Sequence, residues 1–195
     1  MNTEELDSLK DRAYKTAVAH GFHEEEKPDA YWLGLVMSEA GEAINADRKG
    51  LHADTKRFEE VMAMRCITPR VAFEENIKDT VEDEIADIVI RLLDFAGMKG
   101  YTLSSSSGIS INFSDAIKRA FAKIELPGTL VQLIGYLCYY SFARKRTERT
   151  IGIVINIISN CFDKMTGGSD CDLWWFVKQK MRYNELRPRL NGKRY

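Results

Sequence analysis

The stretch "VEDEIADIVIRLLDFAG", residues 81–97, combines an apolar helix face with a row of acidic side chains. At 100° per residue, one side of an α-helix collects Ile85, Ile88, Val89, Leu92, Leu93 and Ala96, which form a stripe suited to a core. Glu84 and Asp87 lie about 60° apart along one edge of that stripe. The pattern predicts a helix over residues 73–99 whose acidic edge borders the protein interior.

A second segment, "DAYWLGLVMSEAGEAINADRKG" at residues 29–50, repeats this arrangement. Its apolar stripe contains Leu33, Val36, Met37, Ala40, Ala43 and Ile44. Glu39 and Glu42 lie along one margin of the stripe, where each is at least partly shielded from water. We therefore predict a helix over residues 29–49. If the two helices pack antiparallel through their apolar faces, their four carboxylates converge.

The rest of the chain also shows apolar residues at helical spacing and contains only 4 prolines, so we expect an all-α fold, a helical bundle. Further helices are predicted at 3–20, 113–124, 129–146, 148–165 and 171–187. Residues 51–72 lack sustained periodicity and are expected to form a long loop with one short helix near 57–65.

We expect a single domain over residues 1–195. The two acidic helices lie in its first part, residues 1–103. The "SSSSG" at residues 104–108 is a low-complexity connector to additional helices in 104–170. A basic C-terminal helix and tail occupy residues 171–195.

Composition excludes several classes of protein. A net charge of −1 over 195 residues removes the usual electrostatic argument for a nucleic-acid polymer as partner. The charged N-terminus has no apolar h-region, which predicts a cytoplasmic protein. The most apolar run, residues 130–143, is well short of the roughly 20 residues that span a bilayer, so we expect no membrane association. The 4 cysteines form no CxxC motif and fit neither a zinc site nor a disulfide framework.

Four converging carboxylates that are partly dehydrated and lack positive partners repel one another, which favours a bound cation. Ligand sets of oxygen atoms alone suit Mg²⁺ or Mn²⁺, whereas zinc sites normally use histidine or cysteine. The alternative is that the acid pairs lie on solvated helix faces, as we expect for Glu4/Asp7, Glu26/Asp29 and Asp79/Glu82. The occurrence of two pairs on two helices, both beside an apolar stripe, favours the metal.

Two motifs that the sequence lacks exclude a di-iron bundle and a P-loop protein. A di-iron bundle requires a Glu-x-x-His motif, which this sequence lacks. The sequence also lacks the GxxxxGK[ST] of a P-loop. A magnesium cluster with bound water remains suited to hydrolysis of phosphoanhydrides.

The C-terminal stretch "KQKMRYNELRPRLNGKRY", residues 178–195, is rich in lysine and arginine. Such a segment can cover the phosphates of a nucleotide held at an acidic metal site. The alternative is a solvated helix end whose cations interact favourably with the helix dipole.

Together these motifs resemble the all-α nucleoside triphosphate pyrophosphohydrolases, the superfamily of MazG and the dimeric dUTPases. That family carries ExxE on one helix and ExxD on a later one, which Glu39-x-x-Glu42 and Glu84-x-x-Asp87 match. The "KxxYNxxRPxxxGKxY" formed by Lys180 to Tyr195 is similar to the tail of the MazG-like branch. The stretch 51–75 stands as an insertion relative to the family.

The resemblance implies a reaction, a cofactor and a set of site residues. The reaction would be NTP + H₂O giving NMP and diphosphate, in nucleotide-pool house-cleaning, with residues 1–103 supplying the catalytic helices. Glu39, Glu42, Glu84 and Asp87 would bind Mg²⁺ or Mn²⁺, one of them doubling as the base. Lys180, Asn184, Arg187 and Lys193 would contact phosphates or sugar, and Arg91 and Asp94 would orient the ligands. A homodimer or homotetramer is also implied.

Trp32 lies near Glu39 on the helical wheel and is a candidate for stacking on the base, with a core tryptophan as the alternative. Two other functions remain open. One is a dUTPase or dCTPase-type enzyme of the same superfamily. The other is a non-catalytic helical dimerisation module that binds metal or nucleotide.

Overall fold

The computed structural model describes residues 3–64, 67–103, 126–142 and 147–192. This part of the chain is helical and contains no strand, so the prediction of an all-α fold is confirmed. The helices are α1 (Thr3–Ala19), α2 (Asp29–Arg48), α3 (Thr55–Ala63), α4 (Pro69–Asn76), α5 (Val81–Met98), α6 (Leu126–Phe142), α7 (Thr147–Thr166) and α8 (Leu173–Glu185), followed by a 3₁₀ turn at Arg189–Gly192.

Helix α5 is the centre of the bundle, and it is buried on nearly every side. Helices α1, α2, α7 and α8 all pack against it, and α6 packs on α7 and α2. The α2–α5 pair is antiparallel. Lys99, just beyond the end of α5, donates to Asp29 at the start of α2 at 3.1 Å, and Arg91 donates to Glu39 farther along at 3.0 Å. The predicted antiparallel packing is therefore confirmed.

The prediction of one continuous helix over 73–99 is wrong, because the chain breaks between α4 and α5. Asp79 has a positive φ of 63°. The Thr80 hydroxyl donates to the Ile77 carbonyl at 2.7 Å and accepts from the Asp83 N–H at 3.3 Å, which caps α5. Threonine and aspartate favour such caps over helix interiors. As a result, three acidic residues occupy the first turn of α5, close to the positive end of the helix dipole.

The stretch 51–72 was expected to be a long loop with one short helix near 57–65. It contains that helix, as α3, and also the start of a second helix, α4. The Asp54 carboxylate accepts from the Arg57 N–H at 2.8 Å, and Thr68 caps a helix that begins at Pro69. The buried Glu82 holds the start of this segment, since its carboxylate accepts from the Ala53 N–H at 3.0 Å. The stretch thereby becomes part of the same core as α5.

Glycines shape α5 at its far end. A Cβ at Gly97 would lie 2.5 Å from the Cβ of Tyr14, so glycine allows α1 to approach α5 this closely. Gly100 has a φ of 67° and ends the helix in the left-handed conformation. The helix therefore ends within one residue of the predicted end at residue 99.

The C-terminal helices agree with prediction within a few residues where they are described. The predicted helix at 113–124, the connector 104–108 and the residues after Phe142 that were assigned to the 129–146 helix lie outside the described residues. Among the helices that are described, none has the length and apolarity needed to cross a bilayer.

Candidate metal and nucleotide site

A cavity of about 290 Å³ opens between α1, α2, α5 and α8. It brings together nine of the residues predicted for the site: Glu39, Glu42, Glu84, Asp87, Arg91, Asp94, Lys180, Asn184 and Arg187. It is also lined by two residues from the turn before α5: Lys78, which the sequence did not single out, and Asp79, which was assigned to a solvated acid pair. Acidic and basic side chains from opposite ends of the chain therefore share one cavity.

Three of the four predicted ligands meet closely enough to bind one ion. Glu39, Glu42 and Glu84 each offer a carboxylate oxygen, and these oxygens all lie within 4.8 Å of one another. Glu39 and Glu84 are only 7% and 4% exposed, whereas Glu42 is exposed. The group can hold a metal ion with two ligands in the core and one facing the solvent.

Burial makes this group electrostatically unfavourable without a cation. Desolvation, reinforced by the nearby Asp87 charge, raises the pKa of Glu84 to about 9. Desolvation and the Asp87 charge also raise the pKa of Glu39, although Arg91 opposes the shift. A donor set of oxygen atoms carrying excess negative charge matches the preference of Mg²⁺ and Mn²⁺. The residues present therefore fit the predicted ion.

The expectation that these carboxylates lack positive partners is wrong, and Arg91 is the first exception. Its Nε donates to Glu39 Oε1 at 3.0 Å. A guanidinium placed one turn beyond Asp87 on α5 reaches across the helix interface to α2. Arg91 thus orients a proposed ligand, which is the position that the resemblance implied for it.

Lys180 is the second cation of the cluster. Its Nζ donates to Asp83 Oδ2 at 2.6 Å and to Asp87 Oδ2 at 2.8 Å, and the residue is 5% exposed. Asp83 is fully buried, and desolvation raises its pKa to about 6 despite the lysine. Sequence reasoning missed Asp83, although its spacing of four residues from Asp87 on a helix could have indicated a shared face.

Asp94 has its own partner within the core. Its Oδ1 lies 2.8 Å from Nε2 of His23, a residue that the sequence did not single out. The His23 ring stacks on Trp32 with centroids 4.5 Å apart and contacts Tyr14 edge to face. Trp32 is 4% exposed and lies behind the cavity rather than in its lining. The structure therefore favours the core alternative for Trp32 over base stacking.

The C-terminal segment closes one side of the cavity through Asn184 and Arg187. The Asn184 Oδ1 is buried and has no hydrogen-bond partner among the residues that the structure describes. The Arg187 guanidinium lies 5.6 Å from the Tyr183 ring centroid. The Leu190 N–H donates to the His20 carbonyl at 2.9 Å, which anchors the segment to the α1–α2 loop. Lys193 lies outside the described residues, so its predicted role stays a prediction.

Comparisons with protein-family models, with curated proteins and with solved structures find no match to this chain.

Proposed function

We propose that this protein is a Mg²⁺-dependent nucleoside triphosphate pyrophosphohydrolase that converts (d)NTP and water into (d)NMP and diphosphate. One observation carries the proposal: three carboxylates from two helices meet within 4.8 Å in a cavity that Asn184 and Arg187 also line. Metal-binding oxygens beside a guanidinium form an arrangement suited to a polyphosphate chain. The resemblance in sequence supports the same reaction.

Glu39, Glu42 and Glu84 would hold the ion, with Mn²⁺ as a substitute for Mg²⁺. When bound, the ion would screen the phosphate charge, polarise the bond between the α- and β-phosphates and lower the pKa of the attacking water. Asp87 lies beside these ligands and adds to the negative potential of the cavity. Arg91 keeps Glu39 in its ligating position through the hydrogen bond to Oε1.

The substrate would be bound by other polar groups that line the same cavity. Arg187 can donate a forked pair of hydrogen bonds to phosphate oxygens. Lys78, in the turn before α5, supplies a second positive charge to the cavity. The buried Asn184 Oδ1 can accept a hydrogen bond, which a sugar hydroxyl or a water molecule would donate. The proton released by the water passes to a cavity carboxylate.

The proposed setting is the cytoplasmic nucleotide pool, with the protein as a homodimer or homotetramer. Helix α6 is largely apolar and offers a contact surface, since its Val131 and Tyr139 are 64% and 69% exposed. Sedimentation or light scattering at micromolar concentration tests this point, and a monomer under those conditions contradicts it.

The decisive experiment incubates the purified protein with Mg²⁺ and a panel of canonical and modified nucleotides, and identifies the products. Diphosphate and a monophosphate from several nucleotides support the proposal. Turnover restricted to dUTP or dCTP assigns the protein to the specialised enzymes of the superfamily. Orthophosphate as the product, or no turnover at all, rejects the proposal in favour of another hydrolase or of a binding module.

A further inference from the structure

The surroundings of Lys180 differ from those of a phosphate-binding lysine. Its ammonium is bonded to two carboxylates, at 2.6 Å from Asp83 Oδ2 and 2.8 Å from Asp87 Oδ2. The side chain is 6% exposed, and that of Asp83 is 0% exposed. An ammonium donates along three directions, and two of these already end on charged oxygens. Little of the group remains available to a ligand.

Aromatic rings enclose the remaining side of the ammonium. The Nζ lies 5.6 Å from the ring centroid of Phe73 and 5.9 Å from that of Tyr183. These two rings stack on each other with centroids 4.6 Å apart, and the Tyr183 hydroxyl donates to Glu74 at 3.0 Å. Cation–π contacts add to the attraction of the two carboxylates. Helix α4, from the stretch that the sequence marked as an insertion, supplies Phe73 and Glu74 for this enclosure.

Lys180 lies beside a second group of carboxylates that could hold a cation. Oxygens of Asp79, Asp83 and Glu84 also lie within 4.8 Å of one another. This second group shares Glu84 with the Glu39–Glu42–Glu84 group and shares Asp83 with Lys180. Because the ammonium is bonded to Asp83 Oδ2, a divalent ion at this place would lie against a positive charge.

We propose that Lys180 is a built-in counter-cation that takes the place of a second metal ion, so that the site binds one divalent ion through Glu39, Glu42 and Glu84. Lys180 is then a positioning residue: it holds the carboxylates of Asp83 and Asp87 beside the ligand group and balances their charge. The inference rests on the metal site of the proposed function, but it concerns the number of ions and the source of the remaining positive charge.

The test has two measurements, both made without nucleotide. Thermal unfolding in EDTA gives the Tm of the metal-free protein, and calorimetric titration with Mn²⁺ gives the number of ions bound. The wild type is expected to bind one Mn²⁺. Lys180→Met leaves the buried Asp83 and the partly exposed Asp87 uncompensated, so its Tm in EDTA should fall by about 5–10 °C, and it should bind a second Mn²⁺ that restores the Tm. The double variant Lys180→Met/Asp83→Asn should regain the Tm in EDTA and bind one Mn²⁺. Lys178→Met, on an exposed position of α8, is the matched control and should match the wild type.

Several outcomes overturn the inference: two Mn²⁺ ions bound by the wild type, or Lys180→Met with unchanged Tm and unchanged stoichiometry. If Lys180→Met does not fold in EDTA, the double variant decides. Its folding with one bound Mn²⁺ supports the inference, and its failure to fold overturns it, since the uncompensated charge has been reduced.

The result is separable from the proposed function. A wild type that binds one Mn²⁺ but hydrolyses no nucleotide rejects only the proposed function. Diphosphate release by a wild type that binds two ions rejects only the role of Lys180. If the wild type binds no Mn²⁺, the proposed metal site fails and the inference of a one-ion site fails with it.

Discussion

The two halves of α5 bury carboxylates to the same degree but satisfy them differently. Glu84 in the first turn and Asp94 in the second half are both 4% exposed. Asp94 lies 2.8 Å from His23 Nε2, which belongs to the core. Among the residues that the structure describes, no group donates a hydrogen bond to the Glu84 carboxylate, and its nearest polar neighbours include the oxygens of Glu39 and Glu42. Within the described residues Asp94 therefore has a side-chain partner, whereas Glu84 has no donor and is available to a cation.

The largest expected effect is at Glu84. Replacing it by glutamine should lower turnover at least about 100-fold, because even residues outside the first ligand shell commonly contribute 10–100-fold. The same change should leave the metal-free protein as stable as the wild type or more so, since it removes a buried carboxyl that has either to hold a proton or to carry an unpaired charge. Diphosphate release and thermal unfolding in EDTA measure the two effects.

The matched control for this substitution is Glu60→Gln, the same change at an exposed residue of α3 outside the cavity. It should leave turnover unchanged. Wild-type turnover in Glu84→Gln would remove Glu84 from the proposed ligand set.

The second effect concerns pH. Folded Glu84 holds its proton up to a pKa of about 9, whereas the unfolded chain loses it near 4.5. Between these values the folded state binds more protons, so the free energy of unfolding should fall as pH rises. The raised pKa values of Glu39 and Asp83 have the same sign, and that of Lys180 acts only above its ordinary 10.5. Urea unfolding of the metal-free protein at pH 6 and pH 8.5 measures the difference.

In Glu84→Gln this decline should be smaller, and in the wild type Mg²⁺ should reduce it by binding the ionised form. A metal-free wild type that becomes more stable between these two pH values would contradict the assignment of Glu84 as an uncompensated carboxylate.

The third substitution, at Asp94, should lower stability more than turnover, the reverse of what is expected for Glu84→Gln. Asp94→Asn weakens the buried contact with His23 and should destabilise the protein by about 1–3 kcal/mol, with or without Mg²⁺. Turnover of the folded variant should change less than tenfold, since Asp94 has its partner in the core. Chemical unfolding and steady-state kinetics separate the two quantities. A loss of activity as large as that of Glu84→Gln, with unchanged stability, would assign Asp94 to the metal site instead.

The smallest effect on function is expected at Trp32, on the core side of His23. Trp32→Phe keeps an aromatic ring to stack on His23 and removes an indole N–H that is buried without a partner. The KM for nucleotide should stay within about twofold, while stability changes by about 1–2 kcal/mol through the smaller ring. A large rise in KM without loss of stability would return Trp32 to the role of a base-stacking residue.

The periodicity of the sequence was sufficient to predict α2 and the acidic edge of α5, because side-chain direction on a helix follows directly from spacing. The same reasoning failed at Asp79 and Thr80. Apolar spacing continues through that turn, but a cap decided by local hydrogen bonds breaks the helix there. The break also places Glu82, Asp83 and Glu84 in a first turn, which periodicity alone did not reveal.

The sequence predicted the carboxylates of the site more readily than it predicted the residues that pair with them. Lys180 lies 97 positions from Asp83, and His23 lies 71 positions from Asp94. Nothing in the local pattern marks His23 as a partner of Asp94, and Lys180 was expected to contact phosphates or sugar rather than carboxylates. Such pairs are set by which helices pack together, and a single sequence does not give that information.

The sequence by itself determined that the chain is helical and that two helices carry acid pairs beside apolar faces, because both properties depend only on residues within a few turns. Tertiary structure alone decided which acids have partners. It joined Arg91 to Glu39, Lys180 to Asp83 and Asp87, and His23 to Asp94. Within the described part of the chain it left Glu84 without a donor, and the free energy of a buried charge depends on the groups brought within a few ångströms of it.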